Sequence, residues 1–322
     1  MLSREEVAAA YQYLLGRLPE NEDVIVHHQN HESLAALRQE IMQSAEFEML
    51  YQQIAEDISE PLGSETLAPI SPIETEASGS TREEMWARVA QNWRQLGEDA
   101  PHWSVLTLEK FRPESIDANR DAFRESGALD MAVVDAALER LPDGDALRAG
   151  LCIEVGCGVG RATRGLSERF SRVLAVDVSA PHLEIAKADL TASGHSNVDY
   201  RCMKRIEDYA DLEAPNFFFS RIVLQHNPPP VQVAILRSIL GNLATPGAAL
   251  FQVITHISDY RFDAEQYLAG DHVGMEMHAV PQSVLFSILQ QAELDVVEID
   301  RDDTVVGDPR YRSHMILARK PS

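Results

Sequence analysis

The chain has 322 residues, enough for one large domain or a main domain with a small companion, and enough to bury a core without disulfides or structural metals. Its 28 Lys and Arg face 51 Asp and Glu, and the resulting formal net charge of −23 repels nucleic-acid backbones and anionic membranes alike. With 45% hydrophobic and 25% charged residues the composition is globular, no run nears the roughly 18–20 apolar residues of a bilayer span, and the three cysteines, with no C-x-x-C pair, suit neither a disulfide framework nor a metal or redox site.

The N-terminus, Met1-Leu2-Ser3-Arg4-Glu5-Glu6, is charged and runs into a helical pattern rather than a leader's apolar stretch, so the expected location is the cytoplasm. Val7, Tyr11, Leu14 and Leu15 recur at helical spacing, as do Leu34, Leu37 and Ile41, and Pro19 stops the first helix. His27-His28-x-x-His31 has the look of metal ligands. No acidic or cysteine residue stands at ligand spacing beside it, and it reads as a polar interhelical turn. The pattern Tyr11-x-x-Leu14-Leu15-Gly16-Arg17-x-Pro19, followed by Ser44-Ala45-Glu46-Phe47, resembles a small helical domain of unknown function that recurs beside bacterial glycosyltransferases. The resemblance implies a glycosyltransferase or polysaccharide-assembly partner through residues 1–58 and brings no catalytic residue.

Residues 59–81 hold no Lys, Arg or aromatic residue but three prolines, two glycines and several Ser and Thr, and are expected to be a flexible linker. From 82 the pattern changes. Helices and loops carry Trp86, Trp93 and Trp103 up to about 145, and beyond that strands and helices alternate. The expected strands are 151–156, 172–177, 197–202, 217–225, 248–254, 294–299 and 313–318, with helices near 161–170, 181–193, 229–243 and 281–292. This order predicts an α/β fold, a seven-stranded, mostly parallel, doubly wound sheet with a small all-α accessory domain. The last two strands have no helix between them, which predicts an antiparallel edge strand. The division is then 1–58 accessory, 59–81 linker, and 82–322 main domain, itself split into a helical lid at 82–145 and an α/β core at 146–322.

Chemistry concentrates after the first of these strands. Glu154-Val155-Gly156-Cys157-Gly158-Val159-Gly160 places three glycines at alternating positions between a strand and a helix, where a ligand can lie on bare backbone. Asp177 ends the second strand, where a carboxylate can accept hydrogen bonds from both ribose hydroxyls. A nucleoside-containing cofactor follows. A nicotinamide dinucleotide calls for G-x-G-x-x-G, whereas Arg161 stands at the sixth place here, and Glu154 would repel a pyrophosphate. A carboxylate there suits the cationic, phosphate-free S-adenosyl-L-methionine.

On Glu154-x-Gly156-x-Gly158-x-Gly160, Asp177 and the order of elements, the chain from about 82 to 322 resembles the class I S-adenosylmethionine-dependent methyltransferases, whose fold is Rossmann-like. The resemblance implies that the loop Gly156, Cys157, Gly158 and Gly160 backs the methionine part, that Asp177 takes the ribose, and that Val178 lies against adenine. The family often carries an acid after the third strand. Lys204 stands there instead, leaving the Arg205 backbone and the Ile206 side chain as expected adenine contacts. Ser220, at the tip of the fourth strand, completes the expected cofactor set. The family also implies a lid from residues such as Trp93, Trp103 and Phe111, with plain core packing as the other reading.

After the fourth strand comes Gln225-His226-Asn227-Pro228-Pro229-Pro230. The Asn-Pro-Pro motif of amino-group methyltransferases needs its Asn at the strand tip and an aromatic fourth residue, and neither holds. The prolines are read as helix entry and Asn227 as an N-cap. His226 stands where a reacting acceptor should lie and is the candidate catalytic base; a histidine packed against a loop carbonyl is the alternative. His256, Asp259 and Tyr260, and Met275-Glu276-Met277-His278, fall in loops long enough to wall an acceptor pocket. Nothing resembles the Asp…Asp-Asn set of catechol-type enzymes, so no metal is expected. The expected reaction is O-methylation of a hydroxyl-bearing acceptor, a sugar in a bacterial glycan being preferred on the N-terminal resemblance alone. The alternatives are a small metabolite, a nitrogen acceptor, or a non-catalytic cofactor-binding scaffold, and self-association is left open.

Overall fold

Four short segments carry the central sheet because their side chains can be buried on both faces, as parallel strands require. Leu151–Val155 (β1) is buried at all of its positions, and Phe217–Ser220 (β4) likewise. Arg172–Asp177 (β2) is buried over its second half, and Val198–Cys202 (β3) closes one edge half-buried. Gly247–Ile257 (β5), Asp295–Arg301 (β6) and Tyr311–Lys320 (β7) complete a seven-stranded sheet in the order β3-β2-β1-β4-β5-β7-β6. The computed structural model describes residues 2–15, 17–49, 73–271, 274–302, 308 and 310–321.

Strands β1 to β5 pair parallel with their neighbours, and β7 runs antiparallel to both β5 and β6. The antiparallel strand is therefore inside the sheet, not at its edge as expected, and β6 takes the edge with most of its residues exposed. A strand that returns without a crossover helix must run antiparallel, but it can insert beside β5 as readily as it can add outside. Strand β4 stops at Ser220, five residues short of the expected end, because a 3₁₀ turn takes over at Leu224–His226.

Two compact units divide the chain, Met1–Ile70 and Ser71–Ser322. In the first, helices Arg4–Leu15, Glu22–Gln29 and Leu34–Met42 bury Val7, Tyr11, Leu37 and Ile41. Asn21 and Ser33 cap the second and third helices by accepting the N–H groups of Val24 (3.0 Å) and Ala36 (3.2 Å). Arg17 forks onto Glu46 with Nε and Nη2 at 2.6 Å each, which explains why both ends of the N-terminal motif carry charge.

In the second unit the expected linker needs correction. Residues 51–72 lie outside those described, but 73–81 pack on the main unit. The Glu74 N–H donates to the Phe262 carbonyl (3.1 Å), its carboxylate accepts the Ala264 N–H (2.8 Å), and Glu76 pairs with Arg237 (2.7 Å). Ser78 caps a helix running Gly79–Asp99, so the lid begins before 82. Helices Pro101–Val105, Arg120–Glu125 and Ala128–Glu139 continue the lid region, while Arg161–Ser167, Ala180–Ala192, Pro229–Gly241 and Gln282–Gln291 wrap the sheet. Strand order reverses between β1 and β4, and the crevice at their carboxyl ends is where a ligand should bind. Among the described residues no helix is long and apolar enough to cross a membrane.

Candidate active site

The β1 strand leads Glu154 and the glycine loop to that crevice. Gly156 and Gly158 have φ of 74° and 54°, a left-handed backbone that other residues adopt at a cost. A Cβ on Gly156 would run into Val223, and one on Gly158 would lie 2.6 Å from a Val105 methyl. The loop is thus bare on the side where the helix Pro101–Val105 covers it. A cavity of about 270 Å³ opens there, lined by Glu154, Gly156, Cys157, Gly158, Asp177 and Val178 from the first two strand ends and by His226 from beyond β4.

Four of the expected cofactor residues are not in that lining. Gly160 caps the helix Arg161–Ser167 in a left-handed conformation, so its role is to turn the chain. Ser220 is fully buried and donates to the Val155 carbonyl at 3.1 Å, tying β4 to β1. Ile206 packs into the main core. The Arg205 N–H, the expected adenine contact, is already given to Asp208 Oδ2 (3.0 Å), which also takes the Lys204 N–H (2.8 Å). Tyr209, one turn further on, reaches the cavity wall instead.

Asp177 carries more than a ribose role. Its Oδ2 accepts the Gly158 N–H (2.8 Å) and its Oδ1 the Ser179 N–H (2.9 Å), so the same carboxylate shapes the glycine loop and keeps lone pairs for a ligand. Glu154 is buried and accepts from the Thr163 hydroxyl at 2.6 Å. Burial pushes its carboxyl up to about 7, against the pull of that hydroxyl and of nearby Arg161. Arg161 pairs with Asp130 (2.6 Å), which also holds Arg221, and Arg221 in turn reaches Asp302 at 3.1 Å. Arg161, Asp130 and Arg221 all line the cavity. Sequence reasoning missed this buried chain of charges, because its members are far apart in the chain.

His226 Nδ1 lies 2.8 Å from the Glu276 carbonyl, a contact that requires Nδ1 to carry the proton and leaves Nε2 with the lone pair. Burial lowers the imidazole to about 4, so the ring is neutral at physiological pH. Trp93 stands edge-on to it at 5.2 Å between ring centroids. Gln225, next in chain, is fully buried in the cavity wall, and neither its amide nitrogen nor its oxygen has a partner among the described residues. Asn227 does not cap the following helix as expected. Its amide donates to the Val223 and Leu224 carbonyls (3.1 and 3.3 Å), and Pro228 and Pro229 make the helix entry by their fixed φ.

Of the two expected acceptor loops, Met275 and Met277 line the cavity, while His256 and Asp259 are exposed and outside its lining. The Tyr260 hydroxyl and His278 Nδ1 are 2.8 Å apart behind the wall. The tryptophans divide. Trp93 lines the cavity, Trp86 is buried in the core with its indole N–H on the Lys204 carbonyl (3.3 Å), and Trp103 lies under the Arg112 guanidinium at 4.5 Å. The helix Pro101–Val105 is pinned where Ser104 Oγ meets His182 Nε2 at 2.8 Å and His182 Nδ1 meets Ser179 Oγ at 2.7 Å.

Comparison with known proteins agrees with this geometry. Residues 152–247 match the family described as Methyltransferase domain. A ubiquinone biosynthesis O-methyltransferase of Hahella chejuensis is 32% identical over 116 residues, 35% of this chain and 47% of the relative. One of Idiomarina loihiensis is 30% identical over 112 residues, 34% of this chain and 44% of the relative. The chain thus spans about half the length of the curated relatives it matches. Among solved structures, magnesium protoporphyrin IX methyltransferase from Synechocystis PCC 6803 superposes with a TM-score of 0.51 at 15% identity, covering 73% of this chain and 99% of that one. That likeness is one of fold. The sheet built from Leu151 onward therefore has a Rossmann-like methyltransferase fold, and residues 152–247 are similar to a methyltransferase domain.

Proposed function

We propose that the chain is an S-adenosyl-L-methionine-dependent methyltransferase whose acceptor atom is a hydroxyl oxygen. The observation that carries this reading is one cavity lined by Glu154, the loop at Gly156 and Gly158, Asp177 and His226. The cofactor, when bound, supplies a methyl group already activated by its sulfonium. Glu154, in β1, and Arg161, at the start of the helix that follows the glycine loop, both line the cavity, a carboxyl and a guanidinium that complement the ammonium and carboxylate of an amino acid. A pyrophosphate would instead face a buried carboxylate. Asp177 has lone pairs left for ribose hydroxyls, and Val178 and Tyr209 give a base apolar surface. These residues fit S-adenosylmethionine and not a dinucleotide.

His226 Nε2 accepts the proton that leaves the acceptor hydroxyl as the carbon–oxygen bond forms. The Glu276 carbonyl holds the ring in the required tautomer. Gln225, with both amide atoms unpartnered, orients the acceptor from the same wall. Trp93, Leu106, Met275 and Met277 make the rest of that wall apolar, which suits a hydroxyl carried on a ring with one apolar face. A sugar in a glycan meets that description, and its support is the resemblance of residues 1–58. A phenolic ring is the second reading, favoured by the names of the two curated relatives.

The test is calorimetry followed by product analysis. S-adenosylhomocysteine should bind and NAD should not; NAD binding without a response to S-adenosylhomocysteine overturns the reading. Mass spectrometry of sugar and phenol acceptors incubated with labelled cofactor then separates the two acceptor classes, and labelling only of amines would remove the hydroxyl assignment.

A further inference from the structure

The unit Met1–Ile70 carries a side-chain cluster that methyl transfer does not use. His28 lies near the end of helix Glu22–Gln29, His31 in the turn after it, and Glu40 on helix Leu34–Met42. His31 Nε2 is 3.4 Å from His28 Nδ1 and 3.1 Å from Glu40 Oε2, and His28 Nδ1 is 3.9 Å from Glu40 Oε1. Ligands around a tetrahedral Zn²⁺, each about 2.0–2.1 Å from the metal, stand roughly 3.3 Å from one another. Two edges of the triangle have that spacing, and the third, measured to the other carboxylate oxygen, is longer at 3.9 Å. A nitrogen of His27 also comes within 4.8 Å of the donor atoms of His28 and Glu40.

We propose that His28, His31 and Glu40 bind a divalent transition-metal cation, Zn²⁺ by the chemistry of the donors, with His27 or water as fourth ligand. Two imidazoles and one carboxylate form an open three-ligand set of the kind Zn²⁺ takes. The outer partner such a ligand needs is present, since Tyr11 Oη lies 2.8 Å from His28 Nε2 and can accept its N–H, which turns the Nδ1 lone pair toward the metal. The unit also gains from a clip. Its buried apolar cluster is small, and a cation would join the second helix, the turn and the third helix across it. Local spacing hides the site because the acid comes from the next helix. Binding moves the His31 proton from Nε2, where it bridges the triangle, to Nδ1, so that Nε2 presents its lone pair to the metal and no net proton is released.

The experiment uses the full chain, stripped with a chelator and then titrated with Zn²⁺ against a chromophoric competitor, with Co²⁺ as spectroscopic probe. One equivalent should bind, Co²⁺ should give a tetrahedral visible spectrum, and Zn²⁺ should raise the melting temperature of the first unit. Glu40→Gln and His31→Gln, both at partly exposed side chains, should each weaken binding by at least about tenfold, while His256→Gln should leave it unchanged. Absence of stoichiometric binding, or equal affinity in both variants, overturns the proposal and leaves a hydrogen-bonded cluster sharing one proton.

Discussion

Glu154 is held in two conflicting demands, burial and charge. Its carboxyl titrates near 7 in the folded protein and near the ordinary 4.5 when unfolded. Between those values only the folded state binds the proton, so stability falls as pH rises from about 4.5 to 7. Glu154→Gln keeps an oxygen for the Thr163 hydroxyl and removes the ionisation. Without cofactor it should be more stable than the parent at pH 8 by about 2–3 kcal/mol, with the difference vanishing near pH 4. Its affinity for S-adenosylhomocysteine should fall at least about tenfold, as an ammonium loses its counter-charge. Melting curves at the two pH values check the first point; a less stable variant at pH 8 would mean the carboxylate is already ionised and satisfied. His226 poses the complementary question. His226→Ala should lower kcat by about 100-fold and leave cofactor affinity unchanged. Since the ring titrates near 4, the acid limb it contributes to the kcat profile should fall near 4 and not near 6.5. A purely structural histidine would show itself as a raised acceptor KM, because the same ring also tethers the Glu276 carbonyl.

At the scale of elements, the helix Gly79–Asp99 determines how the acceptor wall is built. Its Arg88 donates to three carbonyls, Tyr267 (2.7 Å), Leu268 and Gly270 (2.8 Å each), satisfying the C-terminal end of the short helix Ala264–Ala269. One turn on, the Asn92 amide donates to the Gly274 carbonyl at 2.7 Å, next to Met275. Arg88→Met should therefore cost about 1–3 kcal/mol of stability and raise the acceptor KM several-fold with little change in cofactor affinity. Thermal melting and a two-substrate kinetic series would show it; an equal rise in both KM values would place the helix at the cofactor end. These contacts also mark what could be read in the sequence. Strands β1 to β5 and the glycine turn were legible because their signals are local: uniform apolar runs, glycines at the strand end, a carboxylate at the next strand tip. The cavity wall around Trp93 was not, because Trp93, Met275 and Met277 come to line one cavity only through the tertiary fold. Arg205 and Ile206, the expected adenine contacts, lie outside the cavity lining for a related reason. Asp208, three residues from Arg205, captures the backbone N–H that a family pattern would leave for a ligand.

For the whole molecule, the boundary between units is the feature that composition misplaced. A stretch without Lys, Arg or aromatics lacks the means to build its own core, which is why 59–81 has the composition of a linker. It does not need its own core if it borrows one. Ile73 and Ala77 pack on the main core, Glu74 bonds the chain around Phe262 through backbone and carboxylate, and Ser78 caps the first lid helix. A fragment of residues 71–322 should then fold and bind S-adenosylhomocysteine as the full chain does. One of residues 82–322 should still bind but lose the cap and the Glu74 bonds, together about 2–4 kcal/mol, and melt on the order of 5–10 °C lower. Differential scanning calorimetry of the two fragments decides the point. Equal melting temperatures would return the boundary to 81. Failure of the longer fragment to bind would mean that the two units depend on one another, and that residues 71–322 do not fold as an independent body.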